Sequence, residues 1–272
     1  MALVSIVTAT YAGDDPQFLA QAIDSVIDQT HRPLQYLIAG DGPLPDVTRA
    51  LIDARVSDHD WIELCPLPGP RGPAATRNEV LARCRGDYVA ILDADDAMVP
   101  TRVSEQVRYL TEHGLDVVAS WLEVMDPTGT EVGVRKFPET AAEVTAKAPF
   151  FCPTANTAVL FRRAVLPDFR YPKLAVGEDY RLWVDLLRRG RRIGNVPRPL
   201  TRYRTGSGYF SRRRGWSYAT SDLATKLRAL PLAVWWQRPV VVGVAGATFA
   251  VRLLPASWFR SAYAVFEKVT RR

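Results

Sequence analysis

Tyr88-Val89-Ala90-Ile91-Leu92-Asp93-Ala94-Asp95-Asp96-Ala97-Met98-Val99-Pro100 is a run of five apolar or aromatic residues that ends abruptly in three carboxylates. Its length and lack of alternation predict a strand buried on both faces, as inside a parallel sheet. Carboxylates crowded at one strand tip repel one another and raise each other's pKa, so the cluster makes chemical sense around a cation. A hard divalent ion that keeps some waters and shares its remaining positions with phosphate oxygens suits such a tip. The plain alternative is an acidic turn in which Asp96 caps a helix over residues 97–110.

Working outward from this strand, residues 4–8 read as a buried strand, 9–13 as a loop and 16–29 as a helix with Leu19, Ile23 and Val26 on one side. Residues 34–39 form a second apolar strand that ends at Gly40-Asp41-Gly42, and 45–54 a second helix. Residues 61–65 read as a third strand, followed by a stiff Pro/Gly loop and a helix over 74–84. The acidic strand is therefore the fourth in a βαβαβαβ alternation. This predicts an α/β fold with a mostly parallel sheet flanked by helices, and a ligand crevice at the strands' carboxyl ends. Thr10-Tyr11, Asp41, and Asp93 with Asp95 all fall at that edge, although Asp41-Gly42 also reads as an ordinary turn.

Further on, strands over 116–124 and 130–135 around a turn at Asp126-Pro127-Thr128-Gly129, and another over 158–161, make the sheet mixed. Gly177-Glu178-Asp179 then precedes a helix over 180–189 with Leu182, Trp183, Leu186 and Leu187 inward. Helix capping explains one of those two acids and does not require both. A helix N-terminus lowers a carboxyl's pKa, burial beside Trp183 raises it, and the residue pattern leaves that balance open.

The chain has 272 residues, 47% of them hydrophobic, enough for one large domain or one domain with an appendage. Cys65, Cys84 and Cys152 are odd in number and widely spaced, which fits small core residues in a reducing compartment rather than disulfides or zinc. The start lacks a basic segment and a long apolar core, so a cytoplasmic location is expected. Net charge is +6, with arginine-rich runs at 188–192, 198–204 and 212–214. No nucleic-acid module accompanies them, which argues against a nucleic-acid partner. In the tail, thirteen uncharged residues separate Arg238 from Arg252, too few to span a bilayer. Flanking Trp235, Trp236 and Trp258 suit peripheral contact with the inner membrane face, the alternatives being packing on the preceding domain or a homodimer contact.

Together these pieces resemble the family 2 glycosyltransferases, inverting nucleotide-sugar-dependent enzymes of the GT-A fold. The match covers roughly residues 1–205: Val4 to Tyr11, Gln29-Thr30, Asp41-Gly42, Ala75-Thr76-Arg77-Asn78, Gly86-Asp87-Tyr88, Leu92 to Asp96, Pro100, Gly177-Glu178-Asp179 and Tyr203-Arg204. The resemblance implies a nucleotide-binding part over about 1–110 and an acceptor part over about 111–205; residues 206–272, beyond it, read from their composition as a basic, apolar helical extension. It implies that Ala9, Thr10, Tyr11 and Asp41 hold the donor's base and ribose. Asp93 would face ribose and metal, and Asp95 would coordinate Mg²⁺ or Mn²⁺ on the diphosphate. Arg77 and Arg204 would add phosphate or ribose contacts, with surface ion pairing the alternative for Arg204. Asp179, or second to it Glu178, would be the general base.

Departures from the family pattern are Gly40 before Asp41, Ala12 after Tyr11, Glu79 after Asn78, and no His after Tyr203-Arg204. The Gln-x-x-Arg-Trp motif of polymerising members is absent, which favours single addition. The expected activity is transfer of one sugar from a nucleotide-diphosphate sugar to a saccharide, lipid-linked or small-molecule hydroxyl. A sugar-phosphate nucleotidyltransferase is disfavoured because residues 8–14 hold one Gly and no basic residue. A catalytically silent nucleotide-sugar-binding module is the remaining alternative.

Overall fold

A computed structural model describes residues 2–206, 213–255 and 257–259. Arg212 of the basic run, and residues 207–211, 256 and 260–272 of the C-terminal extension, lie outside the described residues. The apolar runs form β1 (Val4–Thr10), β2 (Leu34–Gly40), β3 (Ile62–Pro66) and β4 (Tyr88–Ile91), separated by α1 (Pro16–Ile27), α2 (Asp46–Asp58) and α3 (Pro73–Leu81). β1 pairs in parallel with β2 and β4, and β2 with β3. Side chains of the acidic strand alternate between two cores. Val89 and Ile91 join Phe161, Phe169 and Trp183 on one face; Ala90 and Leu92 join Ile6, Leu19, Tyr36 and Val103 on the other. Burial on both faces, at about 1.5–3 kcal/mol for each large apolar side chain, is why the strand reads as an unbroken apolar run.

The chain departs from the expected helix after Asp96. Ala97–Met98 is a short strand, β5, and α4 runs over Arg102–Glu112. The ring of Pro100 disfavours helical geometry at Val99, which keeps the segment extended until Thr101. Asp96 therefore caps no helix; its Oδ1 accepts the backbone N–H of Arg204 at 2.8 Å.

β6 (Val117–Met125) and β7 (Glu131–Arg135) form a hairpin, followed by α5 (Ala141–Lys147), β8 (Leu160–Arg162), α6 (Glu178–Arg188) and the long strand β9 (Ile193–Arg204). β8 pairs antiparallel with β4 and β6, while β9 runs parallel to β6 and antiparallel to β5. Among the described residues the mixed sheet has the order β3-β2-β1-β4-β8-β6-β9-β5, with β7 beside β6. Connections leave β1 toward β2 on one side and β4 lies on the other, so the direction of winding switches there. The crevice outside those carboxyl ends is where such sheets bind ligands.

α7 (Trp216–Ala229) packs on α6 and on α8 (Arg238–Leu253). Ser221 Oγ donates to Val176 O at 2.8 Å, so α7 also holds the loop that leads into Gly177. Among the described residues no helix is long and apolar enough to cross a membrane.

Candidate active site

The three carboxylates of the strand tip separate. Asp96 is only 1% exposed, and burial, reinforced by the charges of Asp95 and Asp93, raises its pKa well above the ordinary range. Asp95 is exposed at the cleft. Asp93 is half-buried between them, and its backbone N–H donates to Thr157 Oγ1 at 3.1 Å. Beneath the tip lies Arg102, fully buried on α4. Its Nη1 donates to Thr157 O at 2.8 Å and its Nη2 to Ile91 O at 2.9 Å, tying the end of β4 to the turn at Asn156–Ala158. Burial pushes its pKa down to about 9, against the pull of Asp96 and Asp93. Arg102 escapes a motif search; the available signal is a polar pair, Arg102 and Gln106, on the inward side of α4 with Val103 and Leu110.

Arg77, on α3 and 9% exposed, joins the two acidic motifs. Its Nη2 donates to Asp93 Oδ1 at 2.7 Å, its Nη1 lies 3.7 Å from Glu178 Oε1, and its guanidinium sits over the Tyr171 ring at 5.5 Å. Burial opposes its charge, but Asp93, Tyr171 and Glu178 outweigh that and raise its pKa.

Gly177 occupies the N-cap of α6 at φ +73, left-handed geometry that favours glycine, with no side-chain cap. Gly177 itself offers no side-chain cap, and one of the two acids, Asp179, meets a first-turn amide of α6 instead. Asp179 Oδ1 accepts the N–H of Tyr180 at 2.7 Å. Burial raises the pKa of both Glu178 and Asp179. For Glu178 the Asp179 charge adds to this; for Asp179 the Tyr180 amide, Arg213 and Arg77 oppose it. Burial therefore wins over the helix N-terminus.

One cleft of about 650 Å³ gathers all ten residues singled out in the sequence: Ala9, Thr10, Tyr11, Asp41, Arg77, Asp93, Asp95, Glu178, Asp179 and Arg204. Its size is that of a small-molecule site. Tyr11 is exposed, and its ring lies so close to Gly13 that a Cβ there would meet it at 2.6 Å. Asp14 joins the cleft although no motif marks it; its Oδ2 accepts the Tyr11 N–H at 3.1 Å, and burial raises its pKa. Asp41 accepts the backbone N–H groups of Arg71 and Gly72 at 2.7 and 2.9 Å, pinning the Pro/Gly loop.

Arg204 is buried rather than in a surface ion pair. Its Nε donates to Asp95 O at 3.2 Å, its Nη2 to Gln21 Oε1 at 2.8 Å, and its guanidinium stacks on Phe18 at 4.0 Å. It holds the turn that presents Asp95. A second cavity, of about 240 Å³, shares Asp93, Asn156, Asp179, Tyr203, Arg213 and Tyr218 with the cleft. Cys152 lines it, half-buried, whereas Cys65 and Cys84 are core residues as expected. Among the described residues no three His, Cys, Asp or Glu side chains converge to cage a metal alone. Asp93 and Asp95 on one cleft wall suit an ion that takes its other ligands from phosphate and water.

The sequence profile described as glycosyl transferase family 2 matches residues 5–166, more than half of the chain. An uncharacterized glycosyltransferase of Haemophilus influenzae is 28% identical over 270 residues, covering 96% of this chain and 98% of its own length. The UDP-Gal:alpha-D-GlcNAc-diphosphoundecaprenol beta-1,3-galactosyltransferase of Escherichia coli is 26% identical, covering 98% and 96%. Among solved structures, S. aureus TarS 1-349 with UDP-GlcNAc aligns over 97% of this chain and 91% of its own, at TM-score 0.65 and 16% identity. The mannosyltransferase PcManGT of Pyrobaculum calidifontis, in complex with GDP-Man and Mn²⁺, aligns over 98% and 80% at TM-score 0.63 and 16% identity. The fold is thus the GT-A type, and with the profile spanning β1 through β8 the chain belongs to glycosyl transferase family 2 and is a glycosyltransferase.

Proposed function

We propose that this glycosyltransferase moves a single sugar from a nucleotide-diphosphate sugar to an acceptor hydroxyl, with inversion at the anomeric carbon. The observation that carries the reading is Arg77, whose guanidinium joins Asp93 on β4 to Glu178 on α6 across one cleft. Relatives support the donor class: one is named for UDP-Gal, and two structural neighbours hold UDP-GlcNAc and GDP-Man.

In this reading Ala9, Thr10, Tyr11 and Asp41 flank the donor's base and ribose, and Asp93 and Asp95 hold a Mg²⁺ or Mn²⁺ ion with the diphosphate. The ion, when bound, supplies Lewis-acid stabilisation of the leaving diphosphate. Arg77 keeps Asp93 aligned, and Arg204 fixes the Asp95 turn through the Asp95 carbonyl, a positioning role in place of the expected phosphate contact. Asp179 accepts the proton of the acceptor hydroxyl as its oxygen attacks the anomeric carbon and the bond to diphosphate breaks. Asp179 is favoured over Glu178 because it lines both the cleft and the adjoining cavity, while Glu178 faces Arg77. Its raised pKa makes it a stronger base than an exposed carboxylate.

The acceptor end of the reading includes contact with a lipid surface. The outward residues of α8, from Val240 through Val242, Gly243, Gly246, Ala247 and Ala250 to Leu253, are exposed and uncharged. Trp216, Trp235, Trp236 and Trp258 are exposed around this helix, and Arg238 lies at its start. Interfacial helices combine these features, and a homodimer burying the same face is the competing outcome.

The reading is tested by incubating the purified chain with UDP-, GDP- and dTDP-sugars in Mn²⁺, Mg²⁺ or chelator. Metal-dependent release of nucleotide from one donor is expected. A chain that binds a nucleotide-sugar but turns over none, with any acceptor pool, would instead be a binding module.

A further inference from the structure

Val241, Ala245 and Thr248 are the buried residues of α8, and Arg252 follows them at helical spacing on the side that packs on α7. The seam between the two helices is complete in charge without it. On α7, Asp222 binds Lys226 one turn later, and Lys226 Nζ donates to Thr248 Oγ1 at 3.2 Å, so a buried anion and cation already answer each other. Arg252 brings a second cation, its Nη2 3.3 Å from Asp222 Oδ1, and its charge works against that of Lys226. Its side chain is only 11% exposed, and its Nε is buried with no acceptor among the described residues. A buried charge beyond what its counter-ion needs costs stability, so charge balance does not explain this one.

What Arg252 supplies is reach toward the entry of α7. Its Nη1 donates to Arg213 O at 2.7 Å, and its guanidinium lies over the Tyr218 ring at 4.2 Å. Its own carbonyl accepts the N–H of Gly215 at 2.9 Å, and Arg214 Nη2 donates to the next carbonyl, Leu254 O, at 3.0 Å. The last turn of α8 thus grips residues 213–215 with side chain and backbone together. Arg213 lines both the cleft and the smaller cavity, as Asp179 does. The two are close enough that the Arg213 charge opposes the effect of burial on the Asp179 carboxyl.

We propose that Arg252 is a positioning residue for the transfer: by holding the carbonyl of residue 213 it keeps the Arg213 guanidinium beside Asp179, and α8 thereby completes the active site without contacting the reacting atoms. The proposal rests on the reading of Asp179 as base. Arg213 carries its charge on a long stem, so the place of its main chain decides where that charge can stand. Displacement of a group at a reacting centre by about 1 Å costs on the order of a hundredfold in rate. Arg252 touches the Arg213 main chain, not its side chain, and this makes the coupling between the two measurable.

The test measures nucleotide release from the preferred donor, and calorimetric affinity for its nucleoside diphosphate with Mn²⁺, in wild type, Arg252→Lys, Arg213→Ala, the double variant and Thr248→Val. Arg252→Lys keeps a cation for Asp222 and loses the fork that also reaches Arg213 O. Its kcat is expected to fall about tenfold or more with diphosphate affinity unchanged. Arg213→Ala should lose as much, and Arg252→Lys should add nothing to it, since there is no guanidinium left to place. Thr248→Val loosens the same helix seam away from residue 213, so it should lower Tm and leave kcat as in wild type. Wild-type kcat in Arg252→Lys, an equal kcat loss in Thr248→Val, losses that multiply in the double variant, or a loss of diphosphate affinity in place of kcat would each overturn the proposal. Failure of the parent reading shows separately, as Asp179→Asn releasing nucleotide at the wild-type rate, and a wild type that releases none from any donor overturns both.

Discussion

Arg77 Nη2 lies 2.7 Å from Asp93 Oδ1, an ion pair between the middle of α3 and the tip of β4 that also reaches Glu178 on α6 at 3.7 Å. One buried guanidinium thus compensates two carboxylates that are far apart in sequence, and it makes the geometry of each depend on the other. Arg77→Met leaves both without their counter-charge. The expected cost is about 3 kcal/mol in urea unfolding, the low end for a broken buried pair because Asp93 keeps some solvent. Transfer falls at the same time. Arg77→Lys restores charge but not the span between two carboxylates, so it recovers stability better than activity.

Asp179 gives a prediction with opposite signs for stability and activity. Burial raises its folded-state pKa above the unfolded value. A carboxyl raised in this way contributes stability at pH below its unfolded pKa and loses that contribution as pH rises through the folded pKa. At neutral pH the ionised form is therefore a burden. Asp179→Asn is expected to melt at a higher temperature than wild type at pH 7, with the difference shrinking as pH is lowered. Its kcat should drop roughly 10²–10⁴-fold. Wild-type kcat/KM should rise with pH through an apparent pKa above the usual carboxylate range, and that limb should vanish in the variant. Glu178→Gln should keep the limb.

Arg204 separates positioning from substrate contact. Its side chain holds Asp95 O, Gln21 and Phe18. Arg204→Lys keeps the charge and loses most of this geometry, so it is expected to cost about 2 kcal/mol and to lower Tm by roughly 4–8 °C. Metal affinity should weaken with it. Weaker donor binding at unchanged Tm would instead assign Arg204 a direct contact with the donor.

How much of this was legible in the sequence depended on whether one physical signal dominated a segment. β1, β2 and β4 are buried on both faces, so their apolar runs stand out, and the acids at their ends mark the cleft without any alignment. The ten site residues read from sequence all line that cleft. β9 was hidden because Pro197, Pro199 and three arginines break its apolar pattern; the strand absorbs the prolines where its register with β6 shifts. α5 carries the Thr140-x-x-Glu143 capping box, a signal that apolar periodicity passes over. The strand at Ala97–Met98 went against an apolar segment that suits a helix, and Pro100 decided it. Arg102 and the Asp222-centred cation pair were out of reach, since each depends on partners brought together only by packing of distant elements.

Exposed tryptophans around α8 predict binding to vesicles. Wild type should float with vesicles containing anionic phospholipid at low salt and less so at high salt, since the arginine contribution is screened. Trp235→Ser/Trp236→Ser should release it while leaving Tm unchanged, because both side chains are exposed. A concentration-dependent dimer in sedimentation, with no flotation, would assign the face to a second copy of the chain.

If Asp93 and Asp95 present a metal-bound diphosphate to the cleft, nucleotide release from the preferred donor by wild type and Asp95→Ala, in Mn²⁺ and in chelator, reads it most directly. Release is expected to need the metal in wild type and to fall to the chelator level in the variant, whose Tm stays near wild type because Asp95 is exposed. Equal release by both proteins, or release in wild type that chelator leaves untouched, would contradict it.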